Sequence, residues 1–106
     1  MKRKKDKLPP VHPGEVLREE FMIPLGISAS IVAGGLSVAP TTVSRLVRGR
    51  RDVSAELALR LARYLGTTPE FWIGLQGQYD LDLAQDESDA RIRREVQRCP
   101  LVPAAA

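Results

Sequence analysis

The chain is short of several things, and each shortage removes a class of explanation. It has one cysteine, Cys99, in 106 residues. No intramolecular disulfide framework and no cysteine-rich zinc site can be built from it. It has one histidine, His12, beside Pro13. A nucleophile–histidine–acid set has nothing else to draw on, so His12 reads as a capping or packing residue. There is no Gly-rich phosphate loop. The acids Asp82, Asp86, Glu87 and Asp89 lack the spacing of a calcium loop. Aromatics make up 5% of the chain, so the core must rest on aliphatic side chains. No apolar run approaches the roughly 18 residues of a transmembrane span, and the basic N-terminus lacks the apolar stretch of a secretory signal. These absences argue against an enzyme, a metal or cofactor protein and a membrane protein. They leave one modest soluble domain in the cytoplasm.

What is present is positive charge in two places. The net charge is only +3. Residues 1–7 nevertheless hold Lys2, Arg3, Lys4, Lys5 and Lys7 against Asp6 alone, and residues 40–51 hold Arg45, Arg48, Arg50 and Arg51 with no acid. The stretches 11–39, 52–80 and 81–106 are each net acidic. Concentrated positive charge on a near-neutral body is the footprint of a polyanion partner, and also of a merely solvated tail and loop.

Periodicity and punctuation predict helices throughout. Residues 1–10 carry charges and prolines without a period and read as a disordered arm, solubilising or phosphate-binding. The first helix is expected over Val11–Met22, with Pro13 at its start, Val16, Leu17 and Phe21 facing inward, and Pro24 stopping it. Ser28 caps a second helix to Leu36, with Ile31, Val32 and Leu36 inward and Ala33 permitting close approach. Gly34 and Gly35 weaken that helix by about 1 kcal/mol each. Pro40 opens a third helix whose apolar face is Val43, Leu46 and Val47, closed by Gly49. Ser54 caps a fourth through Leu65, built on Leu57, Ala58, Leu61 and Ala62. Thr68-Pro69-Glu70 opens a short fifth, with Phe71 and Trp72 in the core and Leu75 and Tyr79 offered to a dimer seam. Residues 82–106 read as a weakly structured tail, a short helix or an edge strand. The domain proper is then 11–81.

The segment Ser28–Arg51 fits a helix-turn-helix place by place. With Ala29 in the first place, Ala33 takes the fifth, where two helices cross, and Val43 and Leu46 take the buried fifteenth and eighteenth. Ser37 stands in the ninth, where glycine is usual, so the turn is where strain is expected. In such a unit the third helix enters the major groove. Pro40 presents that helix, and Thr41, Thr42 and Ser44 offer hydroxyls and methyls to base edges. Arg45 is the candidate for bidentate contact with guanine. Arg48, Arg50 and Arg51 suit phosphates, as do Ser28 and the N–H groups beside it.

The ordered segments HPGEVLREEF, TTVSRLVRGRR and SAELALRLARYLGTTPEFWIGLQGQYDL resemble the HigA-type (HigA/VapI) antitoxins of bacterial toxin–antitoxin modules, within the XRE-like helix-turn-helix class. The resemblance spans His12 to Leu81. It implies a compact, all-α, five-helix lambda-repressor-like domain that dimerises on double-stranded operator DNA, in a bacterial cytoplasm at the nucleoid. It also implies a RelE-like mRNA-cleaving toxin as partner and repression of the module's own operon. A stand-alone XRE-type repressor without a toxin is the alternative, and a pure interaction module that has lost DNA binding a further one.

Overall fold

The computed structural model describes residues 9–103. The expectation for the first eight residues lies outside that range. Five helices follow one another, and no strand occurs among the described residues. Helix α1 consists of three abutting segments, Pro13–Val16, the π-helical Leu17–Met22 and Ile23–Leu25. Then come α2 (Ala29–Leu36), α3 (Pro40–Val47), α4 (Ala55–Leu65) and α5 (Pro69–Glu95).

Local chemistry explains most boundaries. The Ser28 hydroxyl accepts from Ile31 N–H, that of Ser54 from Leu57 N–H, and that of Thr68 from Phe71 N–H. Each satisfies a backbone donor that its helix would leave unpaired. His12 caps α1, its Nδ1 accepting from Gly14 N–H at 2.9 Å. Ala39 has no side chain to offer α3, and Pro40 supplies the preset φ instead. At the other ends, α1, α3 and α4 finish through left-handed Gly26, Gly49 and Gly66. The fourth termination is at Ser37, with φ 57°. There Val38 N–H donates to the Ala33 carbonyl, closing α2 in the same manner as the glycines close theirs.

The core is a single cluster. Leu17, Val32, Val43, Leu46, Ala58, Leu61 and Trp72 are wholly buried, with Ala33, Leu36, Leu57 and Ala62 nearly so. Trp72 closes the base of it and donates its indole N–H to Thr67 Oγ1 at 2.7 Å. Two backbone approaches set how closely the helices cross. A Cβ on Gly14 would overlap the Leu46 carbonyl, and a Cβ on Gly35 would overlap the Tyr64 ring. The Gly34-Gly35 pair is therefore only half a weakness. Gly35 makes room for α4, whereas Gly34 faces open space.

The structure corrects several expectations. Pro24 does not stop α1, which continues to Leu25. In the π-helical stretch Ile23 N–H reaches back to the Arg18 carbonyl. That wider turn relieves the clash a proline ring makes with the carbonyl four residues earlier. Ile31 faces solvent at 53% exposure, and Phe71 is 41% exposed with its ring edge-on to Trp72. Helix α5 is not short. It runs through Gly74 and Gly77 and on past residue 81 to Glu95, so the first part of the expected tail is helix continuous with the domain. Pairs four residues apart support this extension: Gln78–Asp82, Asp89–Arg93 and Arg91–Glu95.

Ser37 holds a conformation that costs an L-residue about 1 kcal/mol or more. Replacing it with glycine is expected to stabilise the fold by about 0.5–1 kcal/mol, after allowance for glycine's greater freedom when unfolded. A denaturant titration of Ser37→Gly checks this, and a loss of stability would show that the Ser37 side chain makes a stabilising contact of its own.

Candidate nucleic-acid interface

Helix α3 divides cleanly between packing and exposure. Val43 and Leu46 are fully buried and Val47 is partly buried against the core. Pro40, Thr41 and Arg45 are exposed, and Thr42 and Ser44 are half-buried. The Ser44 hydroxyl donates to the Thr41 carbonyl at 3.3 Å. Among the described residues no acid pairs with Arg45, Arg48 or Arg50. Their guanidinium groups are thus free for an outside partner. Just beyond the helix, Gly49 N–H donates to the Leu46 carbonyl and Arg50 N–H to the Arg45 carbonyl. This closes α3 and fixes where Arg50 leaves it.

The structure brings Thr41, Thr42, Ser44, Arg45, Arg48 and Arg50 together on α3 and its exit. Arg51 differs from the other arginines. It is half-buried, its Nε is enclosed without a hydrogen-bond partner, and it lines a hollow with Val38, Thr42 and Ser54. Ser28 sits at the start of α2. Its hydroxyl oxygen accepts from Ile31, which leaves its proton available for a phosphate. Leu75 and Tyr79 are both half-buried. Leu75 is partly buried against the core, and the Tyr79 ring stands edge-on to His12 at 4.8 Å. Exposed apolar residues on or beside α5 include Leu59, Phe71, Ile73, Leu81 and Ile92, and Leu59 and Ile73 share a groove with Ala55 and Pro69.

Three residues support this surface, and two of them, Gln76 and Arg60, act across helices in ways that the sequence does not reveal. Gln76 is buried and accepts from Val53 N–H at 2.7 Å, while its amide donates to Asp80 at 3.0 Å and Asp52 at 3.3 Å. It ties the loop after α3 to α5. A polar residue four places from Trp72, on the buried side of α5, was the available signal. Arg60 donates to the Leu36 carbonyl at 2.9 Å while held by Glu56 at 3.0 Å, placing a cation at the C-terminal end of α2. His12 lies under Gly49, whose Cβ position is 3.7 Å from the imidazole. Burial pushes the His12 pKa below the usual imidazole value, against the opposing pull of Asp52 and Asp80.

Because the folded state favours neutral His12, its contribution is complete above the unfolded value of 6.5 and declines as pH falls below it. His12→Asn retains a capping acceptor and does not titrate. Melting temperatures of the two proteins between pH 7.5 and pH 5 should therefore converge or cross as pH falls. A gap that stays constant would show that His12 does not titrate in this window.

Comparison with known proteins agrees with this geometry. The helix-turn-helix family model matches residues 17–72. Virulence-associated protein I of Dichelobacter nodosus is 41% identical over 86 residues, covering 81% of this chain and 80% of its own. Antitoxin HigA-1 of Vibrio cholerae is 42% identical over 78 residues, covering 74% and 73%. The structure of Pseudomonas aeruginosa antitoxin HigA with the higBA promoter superposes with a TM-score of 0.82 at 41% identity, covering 88% of this chain and 99% of that one. Sequence, fold and the free polar face of α3 agree, and the chain belongs to the HigA-type antitoxins of the helix-turn-helix family.

Proposed function

We propose that this protein is a DNA-binding antitoxin that represses its own operon and neutralises a RelE-like, mRNA-cleaving toxin. Its role is binding rather than catalysis, in the cytoplasm at the nucleoid. The observation that carries the DNA half is the division of α3. One face is sealed into the core by Val43 and Leu46, and the other carries Thr41, Ser44 and an unpaired Arg45. A helix held this rigidly can offer the same side chains to every base step it meets. In the groove, Arg45 donates both arms of its fork to guanine O6 and N7. Thr41, Thr42 and Ser44 meet neighbouring base edges, with Pro40 at the entry. Arg48, Arg50, Arg51 and Ser28 hold phosphates on either side and set the register without reading sequence.

Two copies would place their α3 helices about 34 Å apart on an inverted repeat. The groove of Ala55, Leu59, Pro69 and Ile73 suits the contact between copies, being the apolar surface left exposed where α4 meets α5. The toxin half of the proposal rests on membership of the antitoxin family. Co-expression with the neighbouring small reading frame should yield a stable complex, and failure to co-purify would favour a repressor acting alone.

Two substitutions test the DNA half. Arg45→Ala should weaken operator binding by about 1–3 kcal/mol and relax preference at one base pair. Equal affinity with unchanged preference would remove Arg45 from the reading surface. Leu59→Asp should shift the protein toward monomer in sedimentation, with operator affinity falling in parallel. A dimer that persists would place the seam elsewhere.

A further inference from the structure

We propose that two copies of this chain clasp each other through the far half of α5. Each copy lays that half across the other and seats Ile92 in the groove of Ala55, Leu59, Pro69 and Ile73. The inference rests on the two-copy reading above and names what fills the groove. The segment that does so has little covering of its own. Helix α5 continues to Glu95, and every described residue from Ala90 onward is exposed. Ion pairs within the helix, such as Asp89–Arg93, support it there. Its apolar side chains stay largely in water, with Leu81 51% and Ile92 44% exposed.

Groove and arm share one stripe of one helix. At about 100° per residue, Ile73, Gly77, Leu81, Ala84, Ser88 and Ile92 fall within roughly 100° of arc around α5. Ser88 is half-buried and the other five are exposed. The stripe matches itself when a second α5 crosses it antiparallel. Ile73 then faces the partner's Ile92, Gly77 the partner's Ser88, and Leu81 the partner's Ala84. A two-fold axis between Leu81 and Ala84 repeats each pairing, as a self-complementary interface requires. Glycine weakens a helix interior, yet α5 runs through two of them. At Gly74 and Gly77 the space where a Cβ would stand is open, so nothing in this chain calls for their smallness. A second backbone at close range does. Charge agrees with the same occupant. Glu70 stands at the rim of the groove, and Arg91 arrives beside Ile92. Asp82, Asp86 and Asp89 fall outside the arc of contact, so acids of the two copies are not forced together.

The test uses full-length protein in a Cys99→Ser background. Ile73→Cys and Ile92→Cys, made together, should give a covalent dimer on mild oxidation, seen on a non-reducing gel. Either change alone should not, because the two-fold keeps like positions far apart. Ile92→Asp should keep the helical content of wild type while raising the dimer dissociation constant by about tenfold or more in sedimentation. Absence of the cross-link from the paired variant overturns the clasp. A covalent dimer from either single variant also overturns it, since the helices would then meet in another register. If Leu59→Asp gives monomers and Ile92→Asp does not, the groove remains the seam and only its assigned occupant falls. If both variants stay dimeric, the seam lies elsewhere and the two readings fall together. If Ile92→Asp leaves the dimer intact but abolishes co-purification with the toxin, the far half of α5 is a toxin contact and the clasp is overturned.

Discussion

Everything at the proposed DNA surface depends on how Leu46 is held. Its side chain is fully buried among the core residues. Its carbonyl accepts the Gly49 N–H that closes α3. The same carbonyl lies so close to Gly14 that no side chain fits between. One residue therefore couples the inner face of α3, its C-terminal end and the approach of α1. A helix fixed at depth, end and flank has little freedom to roll. That rigidity places Thr41, Ser44 and Arg45 at constant positions for a partner with fixed spacing.

Around this anchor the fold solves a recurrent problem, which is ending short helices without leaving carbonyls unpaired in a small core. Three helices use a glycine in the left-handed region, and α2 uses Ser37. At that one strained end a charged group assists, since Arg60 reaches across from α4 to the Leu36 carbonyl. Strain and compensation thus sit together at the turn between the two DNA-facing helices. Gln76 serves a similar purpose at the far side of α3, holding the Arg50–Val53 loop to α5 through the Val53 N–H.

Much of the fold is legible in the chain itself. Ser28, Ser54 and Thr68 each stand three residues before the N–H that they accept from, and Pro13, Pro40 and Pro69 follow their caps directly. The apolar spacing in α3 and α4 identifies the residues that are buried. Where sequence and structure part, the causes are physical. Pro24 reads as a stop because a proline normally breaks the bond to the fourth carbonyl before it, but a π-helical turn avoids that bond. The residues after Leu81 look unstructured because they bury little, yet exposed pairs four apart sustain a helix without a core. Ile31 and Phe71 read as inward on apolar character alone, and the packing of the helices leaves both exposed.

The chain by itself determined where most helices begin and end and which face of α3 is polar. Those properties arise from contacts between residues two to five apart, and spacing records them directly. Only the tertiary structure decided that Gly14 meets Leu46, that Arg60 closes a helix other than its own, and that Gln76 holds Val53 23 residues away. Such contacts depend on the crossing distance of packed helices, which no local pattern encodes.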